Sequence, residues 1–184
     1  MKIAVYSGSF DPLHIGHQAI MEYLTGESGF DWVYLVVSPQ NPFKGSEKLS
    51  TAERRYEDAV RAVRRHPELH VWVDDIEMKM PPPHYTIRTL DALKRREPQN
   101  DFTLVIGADN LSRIAYWKDS VRLLSEYPIL VYPRVGFDSA AIREELLRDF
   151  SCNISLIDAP LVEVSSTAIR EGLARGEDMS RWMM

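Results

Sequence analysis

Cysteine, surplus positive charge and long apolar runs are what this sequence lacks. A single cysteine, Cys152, among 184 residues excludes an intramolecular disulfide framework and a thiolate zinc site. It sits in "DFSCNISL", at the entry to a short apolar run, where a packed, inert thiol is expected. The formal net charge is −5 and the pI about 5.6. A surface that grips a nucleic-acid backbone carries a basic excess, so no nucleic-acid partner is expected. A polyanion would have to bind in a local cleft that concentrates positive potential. No stretch approaches the ~20 apolar residues of a membrane-spanning helix, so no membrane partner is expected either. The opening "MKIAVYSGSF" has no long apolar core before its glycine and reads as a first strand, not as a secretory signal; the expected location is cytoplasmic. Repeats, low-complexity tracts and linkers are also missing, so residues 1–184 are expected to form a single domain.

What is there is a regular alternation. Strands are expected at Ile3–Ser7, Trp32–Ser38, His70–Ile76, Phe102–Ile106, Ile129–Tyr132 and Ile154–Ile157, all short and rich in Val, Ile, Leu and aromatics, as strands buried on both faces are. Amphipathic stripes separate them: Ala52, Tyr56, Ala59, Val60 and Val63, with Ser50 and Glu53 as a capping-box pair; then Ile87, Leu90 and Leu93; then Ile142, Leu146, Leu147 and Phe150. The pattern predicts an α/β fold, a doubly wound Rossmann-like parallel sheet with helices on both faces. Two irregular stretches, "SPQNPFKGSEK" and the run Pro81–Pro83, follow expected strands. In such sheets the loops at the carboxyl ends of strands form the ligand crevice.

Chemistry concentrates at two turns. In "YSGSFDPLHIGH", Gly8 permits a sharp turn and close ligand approach after the first strand, Pro12 stiffens the loop, and Gly16 allows a second close approach. His17 is expected to begin a helix, whose N–H groups and dipole favour an anion. His14 and His17, three apart, can donate to phosphate oxygens and stabilise charge on a leaving group; taken singly, either could be an ordinary polar residue at a helix start. With Asp11 they lack a convincing third and fourth zinc ligand, so no protein metal site is expected. Near the other end, "VSSTAIREGL" places Ser165, Ser166 and Thr167 at a helix start with Arg170 one turn in. The capping-box position three residues on holds Ala168 or Ile169, which suggests hydroxyls and N–H groups free for a di- or triphosphate. A plain Ser/Thr cap is the alternative.

"GSFDPLHIGH" resembles the first motif of the nucleotidyltransferase superfamily, whose H-x-G-H element is also found in class I aminoacyl-tRNA synthetases. The length and acidic balance do not suit a synthetase. "SSTAIR" resembles the S-S-T-x-I-R element of small adenylyltransferases. "SPQNPFK", "HYTIRTL", "VIGADNLSRIAYW" and "YPRVG" are similar to the P-x-x-x-P-x-K, S-Y-T-x-D-T-L, I-G-A-D-x-L and R-P-G elements of the nicotinate-nucleotide adenylyltransferase family, in order from Met1 to about Arg175. Arg88 stands where that family commonly has Asp, Lys118 where an aromatic is frequent, and Val135 where proline is expected.

The resemblance implies transfer of AMP from ATP to nicotinate mononucleotide, giving deamido-NAD and pyrophosphate, with ATP as co-substrate and Mg²⁺ bound through its phosphates. It implies catalytic roles for His14, His17, Lys44 and Arg170. ATP contacts would come from Gly8, Ser9, Phe10, Gly16, Gly107, Asp109, Arg134, Ser165, Ser166 and Thr167, with Asp109 accepting ribose hydroxyls. Mononucleotide contacts would come from Lys44, Tyr85, Thr86, Thr89, Trp117 and Lys118, although Trp117 alone would read as core and Lys118 as solvent-facing. Other acceptors, such as nicotinamide mononucleotide or phosphopantetheine, and a nucleotide-binding regulator without turnover are the alternative readings. Trp182–Met184 would cover an apolar patch or a partner subunit, so a homo-oligomer stays open.

Overall fold

In the computed structural model, which describes residues 1–39 and 50–184, the expected runs form parallel strands β1 (Lys2–Gly8), β2 (Trp32–Val37), β3 (Val71–Asp74), β4 (Asp101–Gly107), β5 (Ile129–Tyr132) and β6 (Ile154–Leu156). They build one six-stranded sheet in the order β3-β2-β1-β4-β5-β6. The helices are α1 (Ile15–Gly26), α2 (Ala52–Val63), α3 (Thr86–Arg96), α4 (Ala108–Leu111), α5 (Ser120–Glu126), α6 (Ser139–Asp149) and α7 (Ser166–Ala174). Among the described residues no helix is long and apolar enough to cross a membrane.

Alternation along each strand divides the core in two. Ala4 and Tyr6 of β1, with Val33, Leu35 and Val37 of β2, pack with Ile20, Met21 and Leu24 of α1 and Ala59 and Val63 of α2. Ile3 and Val5, one residue out of step, face the other way with Leu104 and Ile106, against Ile87, Leu90 and Leu93 of α3 and Leu123 of α5. Period-two side chains with helices on both faces make this doubly wound α/β architecture.

Three local expectations change and a fourth holds. The third strand stops at Asp74, and Ile76 instead enters a 3-10 turn, Ile76–Lys79, whose start is fixed when the Ile76 N–H donates to Asp74 Oδ1 at 2.9 Å. Helix α2 is capped by Thr51, whose hydroxyl accepts from Arg54 N–H at 3.3 Å. Ser50 lies one residue outside, and its N–H donates to Asp11 Oδ2 at 2.9 Å. Leu147 is 43% exposed while Leu146 is buried, because a single helical stripe cannot turn two adjacent side chains inward. Cys152 packs against the second cluster, and burial pushes its thiol pKa up, as expected of an inert thiol.

Leu90 is 0% exposed. Leu90→Ala is expected to cost about 2–5 kcal/mol in denaturant unfolding, whereas Leu147→Ala should stay within about 0.5 kcal/mol of the parent.

Candidate active site

The strand order reverses between β1 and β4, so the chain leaves these neighbours in opposite directions and opens a crevice at their carboxyl ends. Both strands end in glycine, Gly8 and Gly107. A Cβ on Gly107 would collide with the Asp109 carboxylate. Above them lies a polar lobe of about 780 Å³, lined by Gly8, Ser9, Phe10, His14, His17, Asp109, Arg134 and Ser165–Thr167. Residues more than 150 positions apart in sequence therefore meet in one space. Gly16 lines a smaller recess beside it with His14, His17 and Arg134.

Helix α1 starts at Ile15, so His14 is its N-cap and His17 stands one turn in, not at the first helical position. The two imidazoles stack with centroids 3.6 Å apart. His14 N–H donates to His17 Nδ1 at 3.2 Å, which leaves the proton of a neutral His17 on Nε2. Gly16 makes this packing possible, since a Cβ there would stand 3.0 Å from His14 Nδ1. Phe10 adopts a left-handed φ of 46° and sets its ring edge-on to His17 at 5.1 Å and to Tyr6 at 5.4 Å. Phe10 thus packs behind the His17 ring. Both histidines are buried. Burial, with the positive field of Arg134, lowers the His14 pKa to about 4, so its ring is neutral at pH 7.

At α7 the expectation of free groups is corrected. Ser165 is a true N-cap, accepting from Ala168 N–H at 3.1 Å; a cap needs only that backbone donor, not a glutamate partner. Ser166 Oγ donates to Pro12 O at 2.9 Å. Arg170 donates to Asp11 O at 2.8 Å and to Thr167 Oγ1 at 3.2 Å. The second motif thus grips the loop of the first. Arg134 pairs with Asp109 at 3.6 Å and lies over the Tyr132 ring, 5.1 Å from its centroid.

A second, less polar lobe of about 830 Å³ is lined by Tyr85, Thr86, Trp117 and Lys118. It shares Tyr6, Ser7, Gly8, Ser9, Asn110 and Tyr132 with the first. Trp117 also packs on the second core cluster, so it is at once core and wall. Lys118 pairs loosely with Asp119 at 3.5 Å. Thr89 is buried, and its hydroxyl donates to Glu77 Oε1 at 2.8 Å; it stands behind the lobe and not in it. Lys44 lies outside the described residues. Arg88 donates to Pro83 O at 2.9 Å, a bond that the usual aspartate could not make. Among the described residues no cluster of histidine, cysteine, aspartate or glutamate could hold a metal ion.

Sequence reasoning missed Tyr6, Ser7, Ser38, Glu77, His84, Asn110 and Tyr132, which line the lobes. Tyr6 and Tyr132 belong to strand runs that read as core, and only their positions at strand ends could have marked them. Met184 was left between two readings; it is buried in the first core cluster, and Met183 makes an antiparallel bridge to His14.

The depressed His14 pKa carries a stability consequence. Between pH 6.5 and about 4 the unfolded chain binds a proton there that the folded chain does not, so stability falls as pH drops through that window, by up to about 1.4 kcal/mol per unit. In urea titrations from pH 7 to 4.5, His14→Gln should show a flatter loss than the parent; parallel curves would refute the assignment.

The sequence profile of a family described as cytidylyltransferase-like matches residues 5–172. Relatives named "Probable nicotinate-nucleotide adenylyltransferase" include one from Bacteroides fragilis, 42% identical over 178 residues, spanning 97% of this chain and 85% of the relative. Another, from Porphyromonas gingivalis, is 38% identical over 183 residues, spanning 100% of this chain and 89% of the relative. The Plasmodium falciparum nicotinic acid mononucleotide adenylyltransferase complexed with NaAD superimposes with a TM-score of 0.79 at 19% identity, covering 99% of this chain and 90% of that one, a likeness of fold. With the profile running from β1 into α7 and the relatives matched almost end to end, the chain belongs to the cytidylyltransferase-like family, among the nicotinate-nucleotide adenylyltransferases.

Proposed function

We propose that this enzyme transfers AMP from ATP to nicotinate mononucleotide, forming deamido-NAD and releasing pyrophosphate. The observation that carries the reading is the junction of the two lobes at Gly8 and Ser9. A triphosphate in the polar lobe and a mononucleotide in the other would meet there.

The reaction needs little covalent help. A phosphate oxygen of the mononucleotide, already ionised near pH 7, attacks the α-phosphorus of ATP. The new P–O bond forms as the bond from the α-phosphorus to the bridging oxygen breaks, and pyrophosphate carries away the electron pair. No general base or covalent enzyme intermediate is required; alignment and charge stabilisation are the protein's tasks. In this proposal the Nε2–H of His17 and the neutral His14 donate toward phosphate oxygens, and Arg134 and the N-terminus of α7 supply positive potential. Asp109, beside Arg134, is proposed to accept ribose hydroxyls, and Lys44 to approach the reacting phosphate. Arg170 acts chiefly through the loop it holds. Magnesium would arrive with ATP as part of the substrate and would supply neutralisation of phosphate charge, with no protein carboxylate cluster needed to hold it.

The choice of acid over amide rests on α3. Tyr85 is its N-cap, without a side-chain cap bond, and Tyr85 and Thr86 line the second lobe. The first N–H groups of a helix have no intrahelical acceptors and favour an anion, and Lys118 adds a cation at the same wall. A nicotinate carboxylate suits that wall better than a carboxamide. The reading keeps a single nucleotidyltransferase domain in the cytoplasm, with ATP and nicotinate mononucleotide as partners and neither nucleic acid nor membrane.

Pyrophosphate release should be faster with nicotinate mononucleotide than with the nicotinamide form; the reverse order would overturn the acceptor assignment. His17→Ala should lower kcat by about 10²–10³ while circular dichroism stays that of the parent. Near-parental turnover would remove His17 from the mechanism.

A further inference from the structure

Arg55 of α2 is 2% exposed, yet among the described residues no carboxylate pairs with it. Burying a guanidinium is costly unless its donors are met. Here four hydrogen bonds meet them, all to backbone carbonyls. Nη1 donates to Ser9 O at 2.7 Å and to Ser38 O at 2.8 Å. Nη2 donates to Pro39 O at 2.9 Å, and Nε to Ser50 O at 3.0 Å. Ser9 belongs to the loop where the lobes join, and Ser38 lines the second lobe. Pro39 and Ser50 flank, in sequence, the segment that carries Lys44. One side chain thus ties β1's loop to the end of β2 and to the start of α2. Asp11 adds a parallel tie through its bond from Ser50 N–H, 2.9 Å.

On the proposed adenylyl transfer, we infer that Arg55 is a positioning residue: it holds the Ser9 loop and both flanks of the Lys44 segment in the one arrangement that aligns the two nucleotides. The geometry demands arginine. Only a planar fork reaches carbonyls on three separate segments at once; the lysine ammonium is a compact point with three donors on a flexible stem. A phosphate site also gains when nearby carbonyl oxygens are bonded away from it. Arg55 does this for Ser9, as Arg170 does for Asp11 and Ser166 for Pro12.

The test is Arg55→Lys, with Arg55→Gln as a second variant that leaves no buried charge. In the folded variant, at a temperature well below its Tm, kcat should fall about tenfold to a hundredfold, with KM for either nucleotide changed far less. Amide exchange by mass spectrometry on the ligand-free protein should quicken in peptides covering residues 6–14 and 50–58, and not in those from α5 and α6. A folded variant with parental kcat, or with unchanged exchange in both segments, overturns the inference. A second measurement needs no variant. In the parent, the Arg55 Nε–H should give a slowly exchanging nitrogen-15 NMR signal; solvent-like exchange would overturn the clamp. Exchange and NMR read the clamp without substrate, so a parent protein inactive on nicotinate mononucleotide would reject the functional proposal and leave this one to be decided by them.

Discussion

The structure turns on a single constraint: β1 and β4 lie side by side and parallel, but their continuing chains depart to opposite faces of the sheet. Among the described residues the gap between those departures is lined by loops and by the first turns of α1, α4 and α7, and the strand ends that border it are glycines, Gly8 and Gly107. The two core clusters keep the strands in register beneath it. The crevice therefore follows from topology, and side chains from remote parts of the chain need only be added at its rim. The chain adds them in pairs that hold one another, as when α7 reaches back to the carbonyls of Asp11 and Pro12.

An acidic protein that binds a triphosphate must localise positive potential. The net charge of −5 is spread over the surface, where ion pairs such as Arg122 with Asp91 and Arg175 with Glu177 mutually neutralise. Within the polar lobe the arrangement differs. His14 is kept neutral by burial and by Arg134, and so serves as a hydrogen-bond donor more than as a charge. A neutral donor costs less to hold in an empty site than a buried cation does. An incoming polyanion reverses the balance, since negative charge near an imidazole raises its pKa.

Much of this was legible in the sequence because the motifs are contiguous. Strand runs, the α1 turn and the Ser165–Thr167 helix start each carry their signal within a few residues. Every strand was found, with boundaries off by a residue or two, and most candidate residues line one of the two lobes. What sequence could not show were bonds between distant segments. Ser165 and Ser166 looked free because the capping-box partner was missing, yet one caps on a backbone donor and the other binds Pro12 across the fold. Thr89 looked like a ligand contact because it sits in a motif, yet helical periodicity turns it inward to Glu77. Arg55 sat in a run of charged residues, "AERRYEDA", with no local mark of burial.

The departures from family pattern fit the same logic. Replacing a carboxylate with Arg88 at the first turn of α3 puts a cation where the helix dipole disfavours one. Its guanidinium reaches back to the carbonyl of Pro83, so the charge is spent fixing the proline run that leads into Tyr85 and Thr86. Removing a carboxylate from this turn also removes a negative charge from the neighbourhood of the α3 N-terminus, whose first N–H groups border the second lobe. The second effect favours an anionic ring substituent over a neutral one. Arg88 in place of aspartate thus works in the direction that the proposed acidic acceptor requires.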